Sequence, residues 1–72
     1  MENDIFTLRA GEEFIELIKL LKVKEISQSG GHAKLLVEEE AIKVNGEVEL
    51  RKRRKLRKGD VIQYEKITIT VK

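Results

Sequence analysis

The hydrophobic pattern of this chain changes period near residue 41. Before it, Phe14, Leu17, Ile18 and Leu21 recur at i, i+3, i+4 and i+7, with Ile15 and Leu20 widening the stripe. That is the spacing of an amphipathic helix, and it predicts a helix over 12–22 with Phe14 in the core. Glu12 and Glu13 fall in its first turn, where the positive end of the helix dipole favours carboxylates. Residues 23–28 read as a connector, with Val23 and Ile26 tucked against the core. Ser29 suits a helix N-cap, because its hydroxyl can accept a hydrogen bond from a free backbone N–H. A second helix then runs from about Gly30 to Glu39, burying Ala33, Leu36 and Val37, with Leu35 at the margin. Lys34 and Glu38 lie one turn apart on its outer side. So short a connector predicts an antiparallel or crossed helix pair. Residues 3–8 read as a short edge strand.

After Glu40 the period is two. Ile42-Lys43-Val44 and Val48-Glu49-Leu50 flank Asn45-Gly46, a strong hairpin signal. A two-residue turn would pair Val44 with Glu47 and put Val48 on the opposite face. A three-residue loop, 45–47, pairs Val44 with Val48 and Ile42 with Leu50, so all four apolar residues share one face. A slip of one residue flips a strand's whole face, so the longer loop is expected. Lys58-Gly59-Asp60 is a turn signal. Val61 to Tyr64 and Ile67 to Val71 read as strands. The fold class is α+β: two short helices packed on a small twisted antiparallel sheet.

With 72 residues and no Cys, the chain is expected to be one domain spanning 1–72, with a thin core and no disulfide or thiolate chemistry. No basic start precedes an apolar run at the N-terminus, so no signal peptide is read. The apolar cluster 14–21 is interrupted by Glu16 and Lys19 and is too short for a membrane span. The expected species is a soluble, cytoplasmic monomer without a cofactor.

Net charge is only +2, but its distribution is polar. Residues 1–40 carry five Lys or Arg against nine Asp or Glu; residues 41–72 carry ten against four. Such asymmetry points to a surface that meets a polyanion. Its focus is 51–58, RKRRKLRK, basic at seven of eight positions. So many cations cannot be core, because each would need a desolvated partner. A solvated charged loop is the plain alternative. Against it, the flanking hairpins hold both ends, Leu56 can anchor the middle, and the Arg residues offer planar donor forks suited to phosphate. The second candidate is the helix start Ser29-Gly30-Gly31-His32, whose backbone N–H groups are open to close approach and which Lys34 supplements. A Ser-capped turn with no binding role explains those residues equally well unless the basic loop lies beside them.

Ser29-x-x-x-Ala33-Lys34-x-x-Val37, then Ile42-x-Val44-Asn45-Gly46, a basic stretch and Lys58-Gly59-Asp60-x-Ile62 together resemble the S4 RNA-binding domain, or αL motif. The resemblance spans about 12–65 and is nearest the small stand-alone bacterial, YbcJ/YaaA-like group. It implies a helix pair laid against a twisted sheet, with RNA bound across the second helix and the following loop. Carried over, the RNA-binding candidates are Ser29, Gly30, Gly31, Lys34, Asn45, Arg51, Lys52, Arg53, Arg54, Lys55 and Arg57. Many family members have Arg directly after the Ser; Gly30 stands there, so backbone would have to replace that side chain. Glu40 occupies the place of a Gly that usually ends the second helix, and a left-handed conformation there would cost roughly 1 kcal/mol.

The chain has two Phe, one Tyr and no Trp. Phe6 and Tyr64 read as sheet-packing residues, so exposed stacking platforms for single strands are lacking. This favours structured RNA, ribosomal or transfer RNA, with ribosomal particles as a further partner and a role in ribosome assembly or translation. Duplex DNA is a poorer fit, because the Gly-rich helix start has few side chains to reach base edges. An enzyme is not expected: His32 is the single His, and no nucleophile–base set accompanies it. Glu38, Glu39 and Glu40 point in different directions on a helix and cannot converge on a metal. The rival reading is a protein-interaction module whose basic loop meets an acidic partner.

Overall fold

The computed structural model describes residues 2–72. Its elements run β1 (Glu2–Phe6), β2 (Ile15–Glu16), α1 (Leu17–Val23), α2 (Gly30–Glu38), β3 (Ile42–Val44), β4 (Glu47–Val48), β5 (Lys55–Leu56), β6 (Val61–Tyr64) and β7 (Ile67–Val71). A five-stranded sheet has the order β1-β7-β6-β3-β4, and β2 pairs with β5 separately. The sheet is antiparallel from β7 to β4, as the period-two segments predict. At its edge β1 adds a parallel pairing with β7, Glu2 opposite Ile67 through Phe6 opposite Val71, so the sheet as a whole is mixed.

One core joins the layers. Leu17, Leu20 and Leu21 of α1 and Ala33, Leu36 and Val37 of α2 pack with Ile42, Val44, Ile62, Ile69 and Val71 of the sheet. Leu56 of β5 completes it and is fully buried. Ile26, Phe6 and Tyr64 pack partly buried against this cluster.

The first helix is shorter than its apolar stripe predicts. A turn closes over 9–12, where the Arg9 N–H donates to the Glu12 carboxylate at 2.8 Å and the Glu12 N–H to the Arg9 carbonyl at 3.0 Å, and residues 12–14 are irregular. Glu12 and Glu13 therefore do not sit on a helix dipole. Ile15 and Glu16 are extended and pair with Leu56 and Lys55. Helix α1 begins only at Leu17, where the Leu17 and Ile18 N–H groups donate to the Arg54 and Lys52 carbonyls at 2.9 and 3.2 Å. Orphan donors at a helix start need acceptors, and here the basic loop supplies them. Phe14 is half-exposed rather than core, and Val23 is exposed rather than tucked in. Val23 sits in the last turn of α1, and the chain folds back only after Glu25 takes a left-handed conformation, φ 59°. Helix α2 matches its expected bounds within a residue, and Glu40 is left-handed at φ 61°.

The hairpin overturns the expected three-residue loop. Asn45 and Gly46 have φ 53° and 87°, both positive, as a two-residue type I′ turn requires. Val44 pairs with Glu47 and Lys43 with Val48. Val48 and Leu50 are exposed, and Glu49 turns inward, only 6 % exposed. The turn's match to strand twist outweighs the burial of two apolar residues because Glu49 finds charged partners inside.

Candidate nucleic-acid interface

Glu49 is the first residue around which 51–57 is arranged. Its Oε2 accepts from the Arg51 backbone N–H at 2.9 Å and from Arg51 Nε at 3.1 Å; its Oε1 accepts from Arg51 Nη2 at 3.1 Å and Arg54 Nη1 at 2.6 Å. A turn closes between them, Arg54 N–H to Arg51 carbonyl at 3.3 Å. Hydrogen bonds from Arg51 lead in holding the Glu49 carboxyl down from its ordinary 4.5 to about 2; burial opposes the shift, and Arg54 and the Arg51 backbone N–H reinforce it. An unfolded chain protonates this group near its ordinary value while the folded chain does not, so the stabilisation is full above about 4.5 and lost as pH falls toward 2. Allowing for the solvent exposure of Arg51, it amounts to about 2 kcal/mol. Urea unfolding of the parent chain should therefore weaken by about that much more than that of Glu49→Gln between pH 5 and pH 2; parallel curves would refute the clasp.

The rest of the loop is held at several points. The carbonyls of Lys52 and Arg54 cap α1, and Lys52 Nζ pairs with the Glu38 carboxylate at the end of α2. Leu56 is fixed in the core through β5. Lys55 Nζ and the Arg57 guanidinium lie 4.9 and 5.7 Å from the Phe14 ring centre, within cation–π reach. The Arg57 N–H donates to Asp60 Oδ2 at 2.8 Å, and Asp60 Oδ1 accepts from Asn45 Nδ2 at 3.1 Å. Asn45 Oδ1 in turn accepts from the Val61 N–H at 2.9 Å. Asn45 thus ties the hairpin turn to the loop's exit, and its polar atoms are already engaged.

What results is an open concavity of about 700 Å³ lined by Arg51, Arg53, Arg54, Lys55, Arg57 and Asp60. Arg53, Lys55 and Arg57 are exposed and have no ion-pair partner among the described residues. Fixed cations of one sign around a concave surface suit a polyanion that brings its own negative charge.

The start of α2 is a separate group. Ser29 Oγ accepts from the His32 N–H at 3.1 Å, and His32 Nδ1 accepts from the Gln28 N–H at 3.1 Å. Ser29 is the cap the sequence predicts, and His32 is part of that cap. A Cβ at Gly30 would meet nothing within 4 Å, and one at Gly31 only Ser29 Oγ at 3.9 Å, so both backbones are open to approach. Lys34 is exposed. Among the described residues no hydrogen bond or ion pair joins this start to the basic loop; the Lys52–Glu38 link is at the other end of α2, about 12 Å along the axis at 1.5 Å per residue. The structure thus brings together Arg51, Arg53, Arg54, Lys55 and Arg57, turns Lys52 toward α2, gives Asn45 a bracing position, and sets Ser29, Gly30, Gly31 and Lys34 along the helix. Glu49, Phe14 and Asp60 are the contributors that sequence reasoning missed. The signal for Glu49 was present: a lone acid in an alternating strand, two and five residues ahead of two Arg.

A family model described as an S4 domain matches residues 6–72. The chain belongs to the S4 domain family. This S4 domain is 43% identical over 53 residues to the probable ribosome maturation protein RlbA of Bacillus subtilis (strain 168), covering 74% of this chain and 75% of that protein. It is 42% identical over 50 residues to YbcJ of Escherichia coli (strain K12), covering 69% and 71%. The solution structure of E. coli YbcJ, described as revealing an αL motif involved in RNA-binding, superposes with a TM-score of 0.69 at 36% identity, covering 93% of this chain and 84% of that one. The α+β architecture of helix pair and sheet is therefore that of the αL motif. No helix among the described residues is long and apolar enough to cross a membrane.

Proposed function

We propose that this S4 domain binds structured RNA, ribosomal or transfer RNA, through the 51–57 concavity, and that it acts in ribosome assembly or translation. The observation that carries the reading is the concavity itself: five basic side chains around one open surface, three of them without an ion-pair partner among the described residues, on a segment pinned at both ends and in the middle. The names of the relatives, one a probable ribosome maturation protein and one described through an RNA-binding motif, point the same way. Folded rather than single-stranded RNA is favoured because the stacking faces are occupied. Phe6 and Tyr64 pack on the core, and Phe14 already lies beneath Lys55 and Arg57.

The test is titration of a folded RNA, an unstructured RNA and a DNA duplex across salt. Four to six neutralised phosphates give a log–log salt slope of about −3 to −5 for the folded RNA. A flat response, or equal weak binding to all three, is what an acidic protein partner predicts, and would overturn the reading.

Ser29, Gly30, Gly31 and Lys34 extend the proposed interface along α2. Gly30 and Gly31 lack a positive φ and have room for a methyl group. Replacing both with Ala should stabilise the chain by about 0.4–1 kcal/mol each, while RNA affinity falls several-fold because the backbone is screened. Thermal melting and RNA titration on the same samples separate the two effects. A rise in melting temperature with unchanged affinity would remove the α2 start from the interface.

A further inference from the structure

The most basic segment of this chain is built on a buried acid. Glu49 is 6 % exposed and lies against Arg51 and Arg54, both of which line the concavity. By charge alone it is a liability there, because a carboxylate subtracts from the field that attracts phosphate. Its geometry offers something else. Arg51 meets it through Nε and Nη2, one on each oxygen, a two-point contact that sets the plane of the guanidinium. Arg54 reaches the same Oε1 through Nη1, so the two guanidiniums share one reference point. A guanidinium carries five N–H donors; Arg51 commits two to Glu49 and Arg54 one, which leaves most of them for a ligand.

Resting on the RNA reading of the loop, we propose that Glu49 is a positioning residue for RNA recognition: its buried carboxylate fixes the orientation and spacing of the Arg51 and Arg54 guanidiniums, so that phosphates held in a folded RNA meet donors already in place. An RNA of fixed shape rewards fixed donors, because neither side has to be ordered on binding. An unstructured RNA adapts to any arrangement of cations and senses mainly their sum. Glu49 therefore trades charge for selectivity between folded and unfolded RNA.

The two effects have opposite signs, which makes the experiment decisive. Glu49→Gln keeps the shape, removes the negative charge and loosens the clasp. An RNA hairpin and an unstructured RNA of equal length are titrated against the parent and the variant, well below the melting temperature of each. Field strength alone predicts tighter binding of both RNAs by the variant. Positioning predicts that hairpin affinity falls about tenfold, the cost of ordering two long side chains anew, while affinity for the unstructured RNA is unchanged or rises. In an Arg51→Lys, Arg54→Lys background, with charge preserved and the forks removed, Glu49→Gln should no longer lower hairpin affinity, the behaviour of residues coupled in one network. A purely structural role would lower both RNAs together and persist in that background. Should the Gln variant fail to fold, the double Lys chain alone carries the test: a lost preference for the hairpin at unchanged charge supports positioning, and a retained one overturns it. A Gln variant that binds the hairpin as tightly as the parent removes the positioning role and leaves the RNA reading intact. A parent without salt-dependent RNA binding removes both.

Discussion

Reversing Arg53 and Lys55 together, Arg53→Glu with Lys55→Glu, is expected to lower RNA affinity at least a hundredfold and leave the fold standing. Both side chains are exposed, line the concavity and have no ion-pair partner among the described residues. Each therefore has its full charge available for phosphate. Two charge-assisted contacts at about 1.5–3 kcal/mol each correspond to a hundredfold or more, and the new carboxylates add repulsion. Structural loss comes from the Lys55–Phe14 contact, on the order of 0.5–1 kcal/mol at an exposed site, and from the new carboxylate at position 55 lying opposite Glu16 in the β2–β5 pair, roughly 0.2–1 kcal/mol more. Arg54 is left alone in this design for a physical reason: a carboxylate there would face buried Glu49, and a lost fold would imitate a lost site. Circular dichroism establishes the fold, and RNA titration at fixed salt gives the affinity. An affinity within threefold of the parent's would reject the concavity as the binding surface.

The second large effect is on stability. Leu56→Ala should destabilise the chain by about 3 kcal/mol, within the range for emptying a fully buried leucine site. A domain of this size has roughly 4–11 kcal/mol in total, so the melting temperature should drop by roughly 10–20 °C. Leu56 is the one apolar side chain in a run of cations and is completely buried. It holds β5 against β2, a pairing of only two residues on each side. Beside it, the Arg54 and Lys52 carbonyls cap α1, so loosening the loop also uncaps the helix. Leu50→Ala is the matched control. Leu50 is 60 % exposed, and its loss should change stability by no more than about 0.5 kcal/mol. Equal losses for the two variants would mean that the hairpin register is not the one described.

Much of this molecule follows from local chemistry. Ser29 caps α2 because a hydroxyl beside a free N–H will accept from it, and the strand at Ile67–Val71 lies where apolar residues alternate. Gly59 sits at φ 95° in the Lys58-Gly59-Asp60 turn. Leu56 reaches the core as its isolation among charges implied. The density of Arg and Lys at 51–58 marked the candidate surface, because no interior could hold it.

The rest depended on contacts between residues far apart in the chain. The stripe from Phe14 reads as helix, yet Ile15 and Glu16 are taken by β5 and the loop carbonyls cap α1 at Leu17. Phe14 is thereby left half-exposed under Lys55 and Arg57, some forty residues away in sequence. The hairpin is the clearer case. A hydrophobic pattern assigns Val48 and Leu50 to the core and Glu49 to water. The twist of a type I′ turn favoured the opposite register, and it is tolerable only because two guanidiniums and a backbone N–H converge on the carboxylate it buries. Period and composition alone could therefore determine that this chain is an α+β domain with a basic surface. Which side chains shape that surface was decided by tertiary structure, since a buried charge is stable only where distant partners meet it.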